Sequence, residues 1–132
     1  MDFQASETET QIADMVRDFT ATRIRPHVME WDEAQSFPRE LFRELGQLGL
    51  MGVMVPAAYG GSALGYPEYV VVIREIARVC GAIGLSVAAH NSLCTGHILR
   101  FGNETQKEKY LPRLASGEWL GAWGLTEPGT GS

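Results

Sequence analysis

Two sets of residues in this 132-residue chain have types and spacings that suit chemistry. The first is His90, Cys94 and His97. Spacings of four and three place two imidazoles and a thiol along one side of a helix, as a metal site would require. No second ligand cluster accompanies them and Cys80 falls in another helical pattern, so they read as packed or hydrogen-bonded core residues and no metal is expected. The second set is the run 117–132. Trp119, Gly121, Trp123 and Leu125 share one parity and Leu120, Ala122, Gly124 and Thr126 the other, which predicts a strand with small or apolar residues on both faces. Pro128 pushes Glu127 to extended geometry, and Pro128-Gly129 suits the centre of a type II turn. Thr130, Gly131 and Ser132 follow with backbone N–H groups and two hydroxyls. A strand ending in such a turn could hold an anionic or polar ring system through main-chain donors.

The elements that must position these residues are helices. Ser6 with Glu9 forms a capping-box pattern, with Thr8 and Gln11 as a rival start, and Ile12, Met15, Val16 and Phe19 follow at helical spacing. Arg25-Pro26 interrupts this helix, and a second piece carries Val28 and Trp31. A short helix follows Pro38 with Leu41, Phe42, Leu45 and Leu48 facing inward and Gly49 as its stop. Tyr59-Gly60-Gly61-Ser62 is a loop signal, open to reading as a ligand loop or as a bend between elements. The third helix opens at Tyr66-Pro67, with Tyr69, Val70, Ile73, Ile76 and Ala77 as its apolar face. The fourth, about 82–101, is apolar all round, as a central buried helix would be. Its period brings Ser86, Ala89, His90, Leu93 and His97 onto one face, which could line a cavity for an extended, mostly apolar ligand. The fifth starts at Asn103, is strained by Pro112 and closes at Gly117. The fold class is all-α: an up-and-down bundle of about five helices, ending in one strand that belongs to a β-domain outside this chain. A lone strand buries nothing stably, so the expectation is the front part of a longer protein, with 1–117 as a helical domain and 118–132 as the start of the next.

Bulk properties narrow the function classes. A hydrophobic fraction of 45% and a charged fraction of 20% are those of a globular protein with a real core. The net charge of -5, with no local basic patch, argues against nucleic acid and anionic lipid. The apolar run 83–99 is broken by Ser86, His90, Asn91, Ser92 and Thr95, which argues against a membrane span. Cys80 and Cys94 read as free thiols in a reducing compartment, and the opening Met1-Asp2-Phe3-Gln4 has neither signal-peptide nor transit-peptide character. A cytoplasmic location is expected.

The segment Leu125-Thr126-Glu127-Pro128-Gly129-Thr130-Gly131-Ser132 resembles the signature of the acyl-CoA dehydrogenase family. Four further pieces match that family in order: Arg25-Pro26 with Trp31 and Phe37-Pro38; Pro56-Ala57-Ala58-Tyr59-Gly60-Gly61; Asn91-Ser92-Leu93; and Gln106-Lys107-Tyr110-Leu111-Pro112 with Gly117-Glu118. The resemblance spans essentially the whole chain and implies the N-terminal helical domain plus the opening strand of a middle β-domain. It implies FAD as cofactor, an acyl-CoA thioester as substrate, electron-transferring flavoprotein as electron acceptor and a homodimer or homotetramer. The activity implied is α,β-dehydrogenation with hydride transfer to FAD. The family's carboxylate base belongs to a C-terminal bundle, so no catalytic residue is expected here, and Glu127 is not that base.

By the same resemblance Trp123, Leu125, Thr126, Gly131 and Ser132 are the expected cofactor-binding residues. Thr126 would bond the pyrimidine end of the flavin, where hydrogen bonds favour the reduced ring, although a strand threonine bonding locally is the plainer alternative. Gly131 and Ser132 would meet the FAD phosphates. Leu85, Ser86, Ala89 and Leu93, with Ser132, would contact the acyl-CoA. Ala89 is small where some relatives carry a longer polar residue, so a short or branched acyl group suits it as well as a fatty one. Acyl-CoA oxidases and flavin monooxygenases are similar over this stretch. A free-standing, non-catalytic helical binding module is the alternative from another class.

Overall fold

In the computed structural model, which describes residues 4–131, five helical rods account for nearly all the regular structure of the described residues. The first consists of α1 (Glu7–Phe19), a wide π turn (Thr20–Ile24), a tight 3₁₀ turn (Arg25–His27) and α2 (Val28–Glu33). Ser6 caps α1 as its sequence predicts: its hydroxyl accepts from the Glu9 N–H at 3.1 Å, and its own N–H donates to the Glu9 carboxylate at 2.7 Å. The π and 3₁₀ turns mark the predicted interruption. Proline offers no N–H and crowds the carbonyl four residues back, so the rod widens before Pro26, with the Arg25 N–H reaching the Thr20 carbonyl, and then tightens.

Helix α3 (Arg39–Gln47) follows Pro38 and ends at Gly49, whose φ of 77° is left-handed. Leu41, Phe42 and Leu45 are buried, but Leu48 is exposed, because the chain unwinds there and turns Leu50 and Met51 inward instead. Residues 48–56 are turns rather than a regular element, yet Leu50, Met51, Val53 and Val55 are all buried. A 3₁₀ turn (Ala57–Tyr59) leads into Gly60-Gly61, and backbone bonds from Gly61 to the Pro56 carbonyl and from Ser62 to the Gly52 carbonyl tie this stretch back as a bend.

Helix α4 (Tyr66–Ala77) packs between α1 and α5 (Gly81–Ala88). Its buried face is Val71, Val72, Glu75 and Ile76; Val70 and Ala77, expected inside, are exposed. The face is rotated from the purely apolar stripe because it carries Glu75 inward, with a side chain 2% exposed. Arg17 of α1 donates to that carboxylate at 3.0 and 3.3 Å, and Arg74 and Arg78 approach it at 3.0 and 3.3 Å. Bonding to Arg17 holds the Glu75 carboxyl below the usual carboxylate range, against an opposing desolvation.

The fourth rod is α5, a π segment (Ala89–Thr95) and α6 (Gly96–Phe101), followed by α7 (Glu104–Ala115), which packs on α6 and on the Ala57–Tyr59 turn. This fourth rod is not buried all round. Ile83, Val87, His90, Asn91 and Thr95 face the core, whereas Leu85 (71%), Leu93 (42%) and Phe101 are exposed on the other side. Asn103 caps α7 reciprocally with Gln106, and Gly117 closes it at a φ of 73°. A side chain at Gly117 would also collide with the Phe42 carbonyl. After Gly117, no strand ladder forms among the described residues. The expected strand residues run without regular structure to a tight turn in which Glu127 and Thr130 exchange N–H···O bonds of 2.9 and 3.0 Å. A strand is defined by its partner, and this segment has none among the described residues.

Candidate functional site

The fourth rod positions the site, and two adjacent polar side chains fix that rod. Asn91 donates through Nδ2 to the Leu50 and Val87 carbonyls at 3.0 and 3.1 Å and accepts from the Val53 N–H at 3.1 Å. It thereby gives the irregular 50–53 stretch the partners that a regular element would supply internally. His90 Nε2 lies 2.9 Å from the Met51 carbonyl and 3.1 Å from the Leu114 carbonyl, and its Nδ1 lies 2.9 Å from the Gly121 nitrogen. A backbone N–H can only donate, so Nδ1 is the acceptor and the ring proton sits on Nε2, shared between the two carbonyls. Burial pushes the His90 pKa down, with the two carbonyls partly offsetting it, which favours this neutral tautomer. Residues 90 and 91 stand three and four places after Val87, so both face inward beside it.

His90, Cys94 and His97 do lie along one side of the rod, and the chain's own segment 121–123 crosses them. The Gly121 N–H meets His90, Cys94 lies against Gly121, and the Trp123 ring meets the His97 ring at a tilt of 36° with centroids 4.1 Å apart. A Cβ on Gly121 would come within 2.6 Å of Cys94, so only glycine fits this close approach. Burial raises the Cys94 thiol pKa, with the Ala122 N–H opposing it, so the thiol is a packing group rather than a reactive one. His97 Nδ1 sits 2.6 Å from the Leu93 carbonyl. Among the described residues no three His, Cys, Asp or Glu side chains are grouped to hold a metal ion.

Beyond this crossing, Trp123, Leu125, Thr126 and Gly131 are exposed, Leu125 at 72%; Ser132 lies outside the described residues. The Thr126 hydroxyl makes no hydrogen bond to the described chain, and neither do the main-chain groups of Trp123, Gly124 and Leu125. This is a run of available donors and acceptors beside a flat indole, and such a donor set fits a polar ring system such as a flavin. Of the residues expected at the acyl group, Leu85 and Leu93 are exposed, Ala89 is half-buried, and Ser86 donates its hydroxyl to the Ala82 carbonyl at 2.9 Å. Ser86 borders a groove of about 380 Å³ that also includes Trp31, Phe37, Cys80 and Ile83. A second groove, of about 450 Å³, lies further along the rod between Met54, Leu64, Tyr66, His97 and Phe101. His90, expected on the ligand-facing side, is 1% exposed and points into the core. The face was drawn too wide: the same helical period sets His90 three residues after Val87 and seven after Ile83, with the core residues. The pattern also missed Asn91 and Glu75, buried polar groups that only their partners could explain.

No helix among the described residues is long and apolar enough to cross a membrane. The profile of the acyl-CoA dehydrogenase N-terminal domain matches residues 6–118. Mitochondrial isovaleryl-CoA dehydrogenase of Bos taurus is 47% identical over 129 residues, which cover 96% of this chain and 30% of that protein. A glutaryl-CoA dehydrogenase from Mycobacterium smegmatis, solved in complex with FADH2, superposes with a TM-score of 0.89 at 37% identity, covering 97% of this chain and 33% of that one. A chain solved in work on the electron transferring flavoprotein of Acidaminococcus fermentans superposes with a TM-score of 0.93 at 38% identity, covering 99% and 34%. The chain thus spans about a third of the length of the proteins it matches.

Proposed function

Because the chain belongs to the acyl-CoA dehydrogenase family, we propose that it is the N-terminal helical domain of an FAD-dependent enzyme that introduces an α,β double bond into an acyl-CoA thioester. In this reading 1–117 form the helical domain and 118–132 open the next one. Bound FAD supplies the hydride acceptor. The chain's own residues hold and orient. Trp123 gives the cofactor ring a flat apolar neighbour, Thr126 and the main chain around Leu125 offer it hydrogen bonds, and Gly131 with Ser132 meet its phosphates. Hydrogen bonds directed at a ring that gains negative charge are worth about 1.5–3 kcal/mol each. Leu85, Ser86, Ala89 and Leu93 form one wall for the acyl chain, and Ser132 meets the thioester end.

The observation that carries the proposal is the crossing of segment 121–123 over the fourth rod. It sets the available donors of 123–126 beside the rod that bears the apolar Leu85 and Leu93 face. The isovaleryl- and glutaryl-CoA dehydrogenases among the similar proteins act on short acyl groups, as their names state, and the small Ala89 agrees with a short or branched substrate. Electron-transferring flavoprotein is the proposed electron acceptor and a homodimer or homotetramer the proposed assembly. The base is supplied from outside these residues, so the 132-residue chain alone has no turnover and little affinity for FAD.

Two measurements test this. A chain carrying the sequence that follows Ser132 is expected to purify yellow and to bleach anaerobically when a short acyl-CoA is added; a colourless protein without flavin affinity would refute the proposal. Titration of the 132-residue chain with FAD is expected to show weak binding at most.

A further inference from the structure

We propose that His90 is a positioning residue: its imidazole, by accepting the Gly121 N–H, aims the segment that follows at the cofactor. The inference rests on the cofactor reading of 123–126 given above, but the tie itself is a property of this chain. Three separate stretches end on one ring: the 50–53 turn through the Met51 carbonyl, the end of α7 through the Leu114 carbonyl, and the segment after Gly117 through the Gly121 N–H. Of the three, the 50–53 turn is braced by the Asn91 side chain and Leu114 belongs to a helix, whereas residues 120–126 have no regular structure to hold their direction. Between the Trp119 N–H, bonded to the Arg113 carbonyl, and the turn at Glu127, the segment's links to the bundle include Leu120 against the core, the bond to His90, the close approach of Gly121 to Cys94 and the tilted contact of the Trp123 and His97 rings.

The His90 bond differs from the other links in kind. Apolar contact and a tilted ring contact tolerate sliding along the rod, whereas an N–H pointing at one nitrogen fixes register and direction. The ring cannot turn over to present its protonated nitrogen to Gly121, because the acceptors on its far side are carbonyls, which need that proton. One neutral tautomer therefore satisfies all three partners, and any other state leaves a buried group unpaired.

The test uses the 132-residue chain and amide exchange measured by NMR at Gly121 and at Val53. The Val53 N–H is held by Asn91, the neighbour of His90 on the same rod, and so reports whether the local fold survives. Nitrogen shifts of the His90 ring are expected to show the Nε2–H tautomer at neutral pH; an Nδ1–H tautomer or a charged ring would overturn the proposal. His90→Phe is expected to speed exchange at Gly121 by about tenfold or more, the equivalent of one lost hydrogen bond of about 1.4 kcal/mol, with Val53 still protected. His90→Gln, whose amide can accept from Gly121 and donate to the carbonyls, is expected to retain most of the protection. Unchanged Gly121 exchange in His90→Phe, or a loss in His90→Gln as large as in His90→Phe, would refute the role of the bond. None of these readouts requires flavin, so a failure of the cofactor reading shows in the FAD titration and not here.

Discussion

The α1–α4 seam and the outer face of the fourth rod are built from similar side chains and end in opposite states. At the seam, Ala13, Val16, Val72 and Ile76 are sealed, and the one carboxylate taken inside, Glu75, is met by three guanidinium groups. On the outer face Leu85, Leu93, Phe101, Trp123 and Leu125 stand open. The seam shows the cost of closing a surface completely, because every polar group trapped there must be paired. On the outer face donors and apolar groups remain available together, and a contiguous apolar patch rimmed by polar groups is what a ligand or partner surface requires. The fourth rod separates the two regimes. Its inner side is fixed by His90 and Asn91, so the outer side is presented from a rigid support.

Substitutions on the two sides should therefore behave differently. Ile76→Ala empties a sealed site and is expected to cost about 2–5 kcal/mol in urea unfolding, whereas Leu85→Ala should stay within about 0.5 kcal/mol of the parent. Equal losses would erase the distinction between seam and face. Glu75→Gln is expected to cost about 1–3 kcal/mol at neutral pH: the carboxylate bonds are lost, but the arginines are half-exposed and can be solvated. Its pH dependence sharpens the same contrast. The folded Glu75 carboxyl titrates below its unfolded value, so its stabilisation is fully present above the ordinary carboxylate range near about 4.3 and is lost as pH falls through the lower folded value. Unfolding midpoints measured from neutral to acid pH should thus converge between parent and Glu75→Gln. A constant offset down to acid pH would assign the loss to packing.

The rods were largely legible in the sequence, since their ends follow from local chemistry. Ser6 with Glu9, Asn103 with Gln106, Pro26, Gly49 and Gly117 each act within a few residues of themselves, and the structure has them where their types require. The burial of α4 and of the fourth rod was only half legible. Helical periodicity says that a face is apolar but not how a long-range partner rotates it. Arg17 turns Glu75 inward across a separation of 58 residues, and His90, at the edge of two faces of the period, goes to the side where the Met51 and Leu114 carbonyls and the Gly121 N–H meet it. Of His90, Cys94 and His97, expected as packed or hydrogen-bonded core residues, only His90 is in the core; Cys94 and His97 are half-buried, and sequence spacing gave no sign that residues 121–123 lie against them. The strand expected over 118–126 depends on a partner strand, and alternation within a single segment cannot supply one.

Leu93 offers the finest separation between the two regimes, since it belongs to the rod that braces the site yet points out of it. Its side chain is partly exposed, so truncation removes little apolar area from a packed environment, and Leu93→Ala is expected to cost about 1 kcal/mol or less in stability. Its carbonyl holds the His97 ring through the backbone, which the substitution leaves in place, so the ring contact with Trp123 should persist. If the outer face is the acyl wall, then in a chain carrying the remaining domains the same substitution should change the ratio of kcat/KM between short and longer acyl-CoA substrates. Each methylene that gains or loses a wall contact is worth about 1–3 kcal/mol of discrimination. A preserved ratio together with a stability loss of about 2–5 kcal/mol would instead make Leu93 an ordinary core residue and move the acyl wall elsewhere on the rod.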